Sequence, residues 1–100
     1  MYIPREVLQI AEDIKTMRIR GAGKIARSAA KALMIAAEKY HGPAAEFKEY
    51  MEKVSQIILN TRPTAVSLPN AVMYVMTRLR KAEGDLFNLK QVVISSAKEF

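Results

Sequence analysis

The sequence predicts an all-α fold, a five-helix up-and-down antiparallel bundle. Apolar residues recur every three or four positions through most of the 100 residues, which is the spacing of one helix face. No segment shows the sustained alternation of apolar and polar residues that is typical of a half-buried strand. The gaps between the helical segments are short, and short connections place consecutive helices side by side and antiparallel.

The first predicted helix covers residues 5–17, and Pro4 suits its first turn. The second covers residues 22–40 and is rich in alanine. Because small side chains allow neighbouring helices to approach closely, we expect the second helix to lie near the centre of the bundle. The apolar positions of the first helix share one face: Val7, Ile10, Ala11, Ile14 and Met17.

Gly42-Pro43 interrupts the helical pattern, and Pro43 is expected to open a third helix over residues 43–59. A fourth helix is predicted over residues 69–81, with Ser67 as its cap and Pro69 in its first turn.

Gly84 and Asp85 are expected to end the fourth helix and cap the fifth, which runs over residues 86–100. The length fits a single helical domain, residues 1–100. Because the fifth helix continues to the last residue without a stop signal, we expect the chain to be an N-terminal fragment of a longer protein.

The composition limits the chemistry. The chain has no cysteine, which excludes disulfides and thiolate sites, and no cluster of metal-ligand residues is apparent. We therefore predict no metal, no cofactor and no catalytic residue. A net charge of +6 predicts attraction to anions. No apolar run approaches the ~20 residues of a membrane span, and a signal-peptide pattern is absent, so we expect a cytoplasmic protein without membrane contact.

The start of the second helix conflicts with two preferences of helix starts. Residues 17–27 contain no Ser, Thr, Asp or Asn to cap the helix, and no acid that the positive end of its dipole would favour. Four cations stand there instead: Arg18, Arg20, Lys24 and Arg27. Local conflicts of this kind are expected at functional sites.

Two interpretations of this turn remain open. An anion could bind the free N–H groups of Ala22 and its neighbours, with Gly21 and Gly23 allowing close approach and Arg20 pairing with it. Alternatively, the glycines only form the turn, and water solvates the cap and the cations. A nucleotide-binding loop is excluded, because Ile25 occupies the position of the required Ser or Thr and no strand precedes the turn.

The loop before the fourth helix offers a second arginine. Arg62 precedes Pro63 in a stretch that is stiffened by two prolines, which would hold Arg62 in a defined place. In an up-and-down bundle the second and fourth helices begin at the same end, so Arg20 and Arg62 could converge on one anion. The competing interpretation is a well-capped connection with a solvated Arg62.

Two segments carry a family resemblance: residues 19–27, IRGAGKIAR, and residues 61–71, TRPTAVSLPNA. They closely resemble the N-terminal region of archaeal ribose-1,5-bisphosphate isomerases. These enzymes are grouped with methylthioribose-1-phosphate isomerases and with the regulatory alpha, beta and delta subunits of eukaryotic initiation factor 2B. The resemblance extends over essentially all 100 residues.

The resemblance implies a helical domain that is followed, in the family, by a Rossmann-like domain lacking here, with the substrate bound between the two. It assigns Arg20, Gly21, Ala22 and Gly23 to the substrate phosphate-binding turn, and Arg62 to a second phosphate contact. In the isomerases the catalytic cysteine and aspartate lie in the second domain. The resemblance therefore implies half of an active site, and we expect no isomerase activity from this chain alone.

Three functions follow as hypotheses. The leading one is the phosphate-binding domain of a sugar-phosphate isomerase that converts ribose 1,5-bisphosphate to ribulose 1,5-bisphosphate. Its implied partners are the substrate, its own C-terminal domain and further copies of the full-length chain. The second hypothesis is a fragment of a regulatory subunit that binds a translation initiation factor. The third, nonspecific nucleic-acid binding, is disfavoured because the tyrosines do not alternate with the basic residues.

Overall fold

The computed structural model describes residues 2–62 and 65–100, and these residues form five α-helices and one short 3₁₀ helix, with no strand among them. The all-α prediction is confirmed. The helices are α1 (Arg5–Lys15), α2 (Ala22–Lys39), α3 (Phe47–Leu59), α4 (Ser67–Lys81) and α5 (Leu86–Ala97), and the 3₁₀ helix Ala44–Glu46 leads into α3. No helix in the described part of the chain is long and apolar enough to cross a membrane.

The alanine-rich α2 is the central helix, as the sequence predicts. It packs against each of the other four helices, most extensively against α4 and α5. Ala29, Ala32, Ala36 and Ala37 are completely buried along it. Because these side chains end at Cβ, α4 and α5 can approach the α2 backbone closely, and larger side chains from the neighbours fill the space between.

Helix ends differ from the sequence prediction by more than one residue at α1, α3, α4 and α5. The prediction that Pro43 opens the third α-helix is wrong, because the 3₁₀ helix Ala44–Glu46 comes first and α3 begins at Phe47. Helix α1 ends at Lys15 because Met17 has a φ of +68°, a left-handed conformation that cannot continue a helix. Helix α4 begins two residues earlier than predicted, since Pro69 is tolerated within its first turn. Ser67 therefore lies inside the helix, and the prediction that it caps the helix is wrong. Helix α5 ends at Ala97.

Side-chain hydrogen bonds satisfy backbone groups at several helix ends. Asp85 caps α5 as predicted, and its carboxylate accepts a hydrogen bond from the Asn88 backbone N–H at 2.8 Å. Lys90 donates to the Tyr40 carbonyl at the end of α2 at 2.6 Å. Lys48 does the same for the Ala82 carbonyl just after α4, at 2.5 Å. Positive charges are favourable at these carbonyl ends because the helix dipole is negative there.

An ion pair joins α3 to α4. The Arg80 guanidinium donates from Nε and Nη2 to the two oxygens of Glu52 at 2.7 and 2.8 Å. These hydrogen bonds lower the pKa of the Glu52 carboxyl below its usual value. A lowered pKa means that the pair stabilises the fold at neutral pH and that this contribution is lost as the pH falls through the carboxyl's pKa. Both side chains are more than one-third exposed, so the contribution is small.

Ser96 is the one buried side chain in the described residues whose polar atom has no hydrogen-bond partner. We therefore expect Ser96→Ala to raise the free energy of unfolding by about 1–2 kcal/mol, because it removes an unsatisfied hydroxyl and improves helix propensity. Urea unfolding measures this change. The matched control is Ser95→Ala: Ser95 is exposed and its hydroxyl donates to the Val92 carbonyl at 3.3 Å, so this change should bring at most the propensity gain of about 0.5 kcal/mol. Equal gains in the two variants would contradict the prediction.

Candidate anion-binding site

Arg20 and Arg62 lie at the same hollow, at the end of the bundle where α2 and α4 begin. The hollow has a volume of about 380 Å³. Its lining consists of Met17, Arg20, Gly21, Ala22 and Ile25 from the first half of the chain, and Arg62, Ala65, Val66 and Ser67 from the second. The geometry therefore brings together the two arginines that the bundle topology predicts to converge.

The predicted site residues do not all face the hollow. Arg20, Gly21 and Ala22 line it from the exposed turn before α2, and Arg62 is half-buried beside it. Gly23 does not line the hollow and lies one residue further into α2. The loop stiffness predicted from Pro63 lies outside the described residues, because the structure describes neither Pro63 nor Thr64.

The turn before α2 leaves its first backbone donors available. Gly21 is the residue preceding the helix, with φ +90° and ψ 134°, a conformation that essentially only glycine adopts. The first helical hydrogen bond runs from the Ile25 N–H to the Gly21 carbonyl at 2.9 Å. The N–H groups of Ala22, Gly23 and Lys24 precede that bond and have no partner inside the helix, and no side chain caps them.

Helices α2 and α4 share a property that sets them apart from the other described helices. Neither has an acid in its first turn or a side-chain cap. The other α-helices place a carboxylate there: Glu6 in α1, Glu49 in α3 and the capping Asp85 in α5. The uncompensated positive ends are thus the two ends that border the hollow, and an anion in the hollow would compensate both.

The cations around the turn also lack acidic partners. Among residues 2–62 and 65–100, no carboxylate lies within 4.0 Å of the basic groups in this region, and the ion pairs of the structure involve other residues. The unpaired cations are Arg18, Arg20, Lys24, Arg27 and Arg62. Several unneutralised charges at the positive ends of two helices create a potential that attracts anions.

Met17 is a site residue that sequence reasoning placed in the core instead. Its side chain is 51% exposed and forms part of the hollow, and its left-handed backbone turns the chain from α1 toward Arg20. The Met17 N–H donates to the Ile14 carbonyl at 3.2 Å, and the Ile19 N–H to the Asp13 carbonyl at 3.0 Å. Nothing in the sequence signals a left-handed methionine, since glycine or asparagine is the usual residue there.

The arrangement can hold and orient an anion, but it supplies no reacting group. Among the described residues that line the hollow there is no carboxylate, histidine or lysine, and Ser67 has the only hydroxyl. The described residues contain no group of three or more His, Cys, Asp or Glu side chains placed to hold a metal ion. Backbone N–H groups, two arginines and a serine are binding groups, so the chemistry offered here is electrostatic.

A larger hollow of about 580 Å³ lies at the other end of α2, between the start of the chain and α3. It is lined by Tyr2, Tyr40 and Tyr50 together with Lys39, His41, Gly42, Pro43 and Glu46. Lys39 is already paired with Glu6. Its described lining residues include no arginine, and Glu46 places a carboxylate at the start of α3, so this hollow is less suited to an anion than the one at Arg20.

Comparisons with known proteins place the sequence among a group of isomerases and translation factors. The profile of the initiation factor 2 subunit family matches residues 18–100. The ribose 1,5-bisphosphate isomerase of Thermococcus kodakarensis is 54% identical, over all of this chain and 32% of its own length. That of Pyrococcus furiosus is 52% identical over 98% of this chain and 32% of its own length.

More distant relatives belong to a second enzyme group. The methylthioribose-1-phosphate isomerase of Desulfitobacterium hafniense is 35% identical over 90% of this chain and 27% of its own length. The chain thus spans about a third of the length of the first two relatives and about a quarter of this one.

The two glycines of the turn should respond to alanine with opposite signs. Gly21→Ala should lower the free energy of unfolding by about 1–3 kcal/mol, because a φ of +90° strains any residue that has a Cβ. The loss does not come from a clash, since no atom lies within 4 Å of the Cβ that alanine would add. Gly23→Ala should raise it by a few tenths to about 1 kcal/mol through helix propensity, since the added Cβ meets only the flexible Arg27 side chain. Thermal and urea unfolding measure both. Destabilisation by Gly23→Ala equal to that of Gly21→Ala would contradict this assignment.

Proposed function

The chain belongs to the initiation factor 2 subunit family, and we propose that it is the phosphate-binding N-terminal domain of a sugar-phosphate isomerase. The reaction proposed for the complete protein is the conversion of ribose 1,5-bisphosphate to ribulose 1,5-bisphosphate, an aldose-to-ketose isomerisation. The relatives named ribose 1,5-bisphosphate isomerase, at 54% and 52% identity, support this choice of substrate.

One observation supports the phosphate-binding role above all others. Arg20 and Arg62 are 42 positions apart in the sequence and line one hollow at the start of two helices that lack acidic compensation. A phosphate in this hollow would accept hydrogen bonds from the available N–H groups of Ala22, Gly23 and Lys24 and from both guanidinium groups. Arginine suits this task because its planar fork can donate two parallel hydrogen bonds to phosphate oxygens.

The contribution of the domain to the reaction is electrostatic. Neutralising the phosphate and fixing its position orients the sugar for the step that occurs at its carbonyl end, and it helps exclude water from the closed site. This chain has no cysteine. We propose that the reacting groups belong to the rest of the complete protein. We therefore propose that the chain alone binds without catalysing, and that it acts in the cytoplasm with its C-terminal domain in a homo-oligomer.

Binding of a translation factor is the second candidate function, because the matching family is named for initiation factor 2 subunits. A subunit that only binds protein has no need of an exposed turn with available N–H donors beside two arginines. A pull-down with initiation factor 2, run beside an isomerase assay on the same full-length preparation, separates the two functions. Retention of the factor without isomerase activity would favour the regulatory role.

Removal of the Arg20 guanidinium tests the proposed function directly. In the full-length protein, Arg20→Ala should lower kcat/KM for ribose 1,5-bisphosphate roughly 10- to 100-fold, the loss of one or two charge-assisted hydrogen bonds. Arg62→Ala should cause a loss of the same order. Steady-state kinetics of ribulose 1,5-bisphosphate formation measure both effects.

Arg5→Ala is the matched control for this experiment. Arg5 is an exposed arginine at the start of α1, beyond the lining of the hollow, so its removal deletes one charge and leaves the site intact. Its kcat/KM should stay within about twofold of the unsubstituted protein. An Arg20→Ala variant with unchanged substrate affinity and turnover would refute the proposed phosphate contact.

A further inference from the structure

Arg27 folds back toward the first turn of α2 and lies against Gly23. A Cβ placed on Gly23 would be 3.2 Å from Nη1 of Arg27 and 3.9 Å from both Cζ and Nη2. The whole guanidinium group therefore lies over the position where any other residue would carry its side chain. Gly23 is the second residue of α2, and its backbone has no positive φ that would require glycine.

The position of Arg27 is electrostatically unfavourable without a counterion. The guanidinium lies beside Gly23 in the first turn of α2, at the positive end of the helix, and a cation there costs a few tenths to about 1 kcal/mol. In the part of the chain that the structure describes, no carboxylate lies within 4.0 Å of it. A solvated arginine at the sixth position of a helix is free to extend into water, away from this positive end.

The geometry places Arg27 on the side of α2 that faces away from the hollow. Ala22 and Ile25 line the hollow. At 3.6 residues per turn, Gly23 and Arg27 lie about 150° around the helix from those two residues. An anion on the helix axis, in front of the first N–H groups, would have Arg20 and Arg62 on one side and Arg27 on the other.

We propose that Arg27 is a third arginine of the anion site and reaches the bound phosphate across the bare backbone of Gly23. This inference rests on the proposed phosphate-binding function and adds a ligand contact to it. The ligand class is a phosphate monoester in its doubly charged form, because its oxygens can accept hydrogen bonds from three guanidinium groups and the backbone at once. Gly23 is required for the space that it leaves to Arg27.

Phosphate titration of the 100-residue chain followed by NMR tests the contact. Inorganic phosphate should shift the amide resonances of Ala22, Gly23 and Lys24, and chloride at equal ionic strength should not. Arg27→Gln should weaken the apparent affinity for phosphate about tenfold, the loss of one charge-assisted contact. Lys31→Gln is the matched control, since it deletes the same charge from an exposed residue one helical turn further on.

The outcomes separate the inference from the function on which it rests. If Arg27→Gln and Lys31→Gln bind phosphate with equal affinity while the unsubstituted chain shifts as expected, Arg27 makes no contact and the inference is overturned alone. If phosphate shifts none of the three amides in the unsubstituted chain, the phosphate-binding function falls and the inference falls with it.

A double-mutant cycle tests the path across Gly23. Gly23→Ala should weaken phosphate binding by displacing the guanidinium, so it should add little to the loss already caused by Arg27→Gln. The expected stability of Gly23→Ala keeps this comparison interpretable, because an unfolded variant would be seen in its amide spectrum. Additive losses would overturn the path and assign Gly23 to backbone approach instead.

Discussion

Close packing around α2 determines where every other part of this domain lies. Its buried face is built from alanines, so α4 and α5 approach its backbone closely and α1 and α3 complete the surroundings. Since α2 and α4 pack side by side and begin at the same end, the turn before α2 and the loop before α4 become neighbours. The meeting of Arg20 and Arg62 is thus a consequence of core packing.

The distribution of charge at helix ends follows a consistent pattern with one local exception. Lys48 and Lys90 satisfy carbonyl ends across the bundle, and acids occupy the starts of α1, α3 and α5. Among the residues that the structure describes, the starts of α2 and α4 have neither an acid in the first turn nor a side-chain cap. A chain that compensates helix ends elsewhere and omits compensation at two adjacent ends leaves a position that a bound anion would stabilise.

Much of the fold was predictable because it depends on periodicity. Apolar spacing identified five helices, and the alanines identified the central one, since both signals reflect burial directly. Ser67 was misplaced as a cap because proline is accepted anywhere in the first turn, so Pro69 does not fix the start of α4. The left-handed Met17 had no signal in the sequence, because this conformation is uncommon for any residue other than glycine, asparagine or aspartate.

For the candidate site, the sequence shows which charged residues are present but not where their side chains point. Arg20 and Gly21 stood out through the conflict between their residue types and a helix start. Arg62 joined them only through the predicted topology. Arg27 could be counted among the cations, but its contact with Gly23 depends on a side-chain conformation. The four-residue spacing that puts Gly23 and Arg27 on one face was visible in the sequence, and glycine at such a position is the signal that could have found the contact.

A site that offers binding groups without reacting groups is consistent with the division of labour proposed for the complete protein. Binding energy at a phosphate, which does not itself react, can hold the reacting carbon in position and offset the entropy lost when the substrate is immobilised. This role requires rigidity more than chemistry. Three of the lining residues, Ala22, Ile25 and Ser67, belong to α2 and α4, the pair of helices that pack most extensively in the structure, and this packing fixes where they lie.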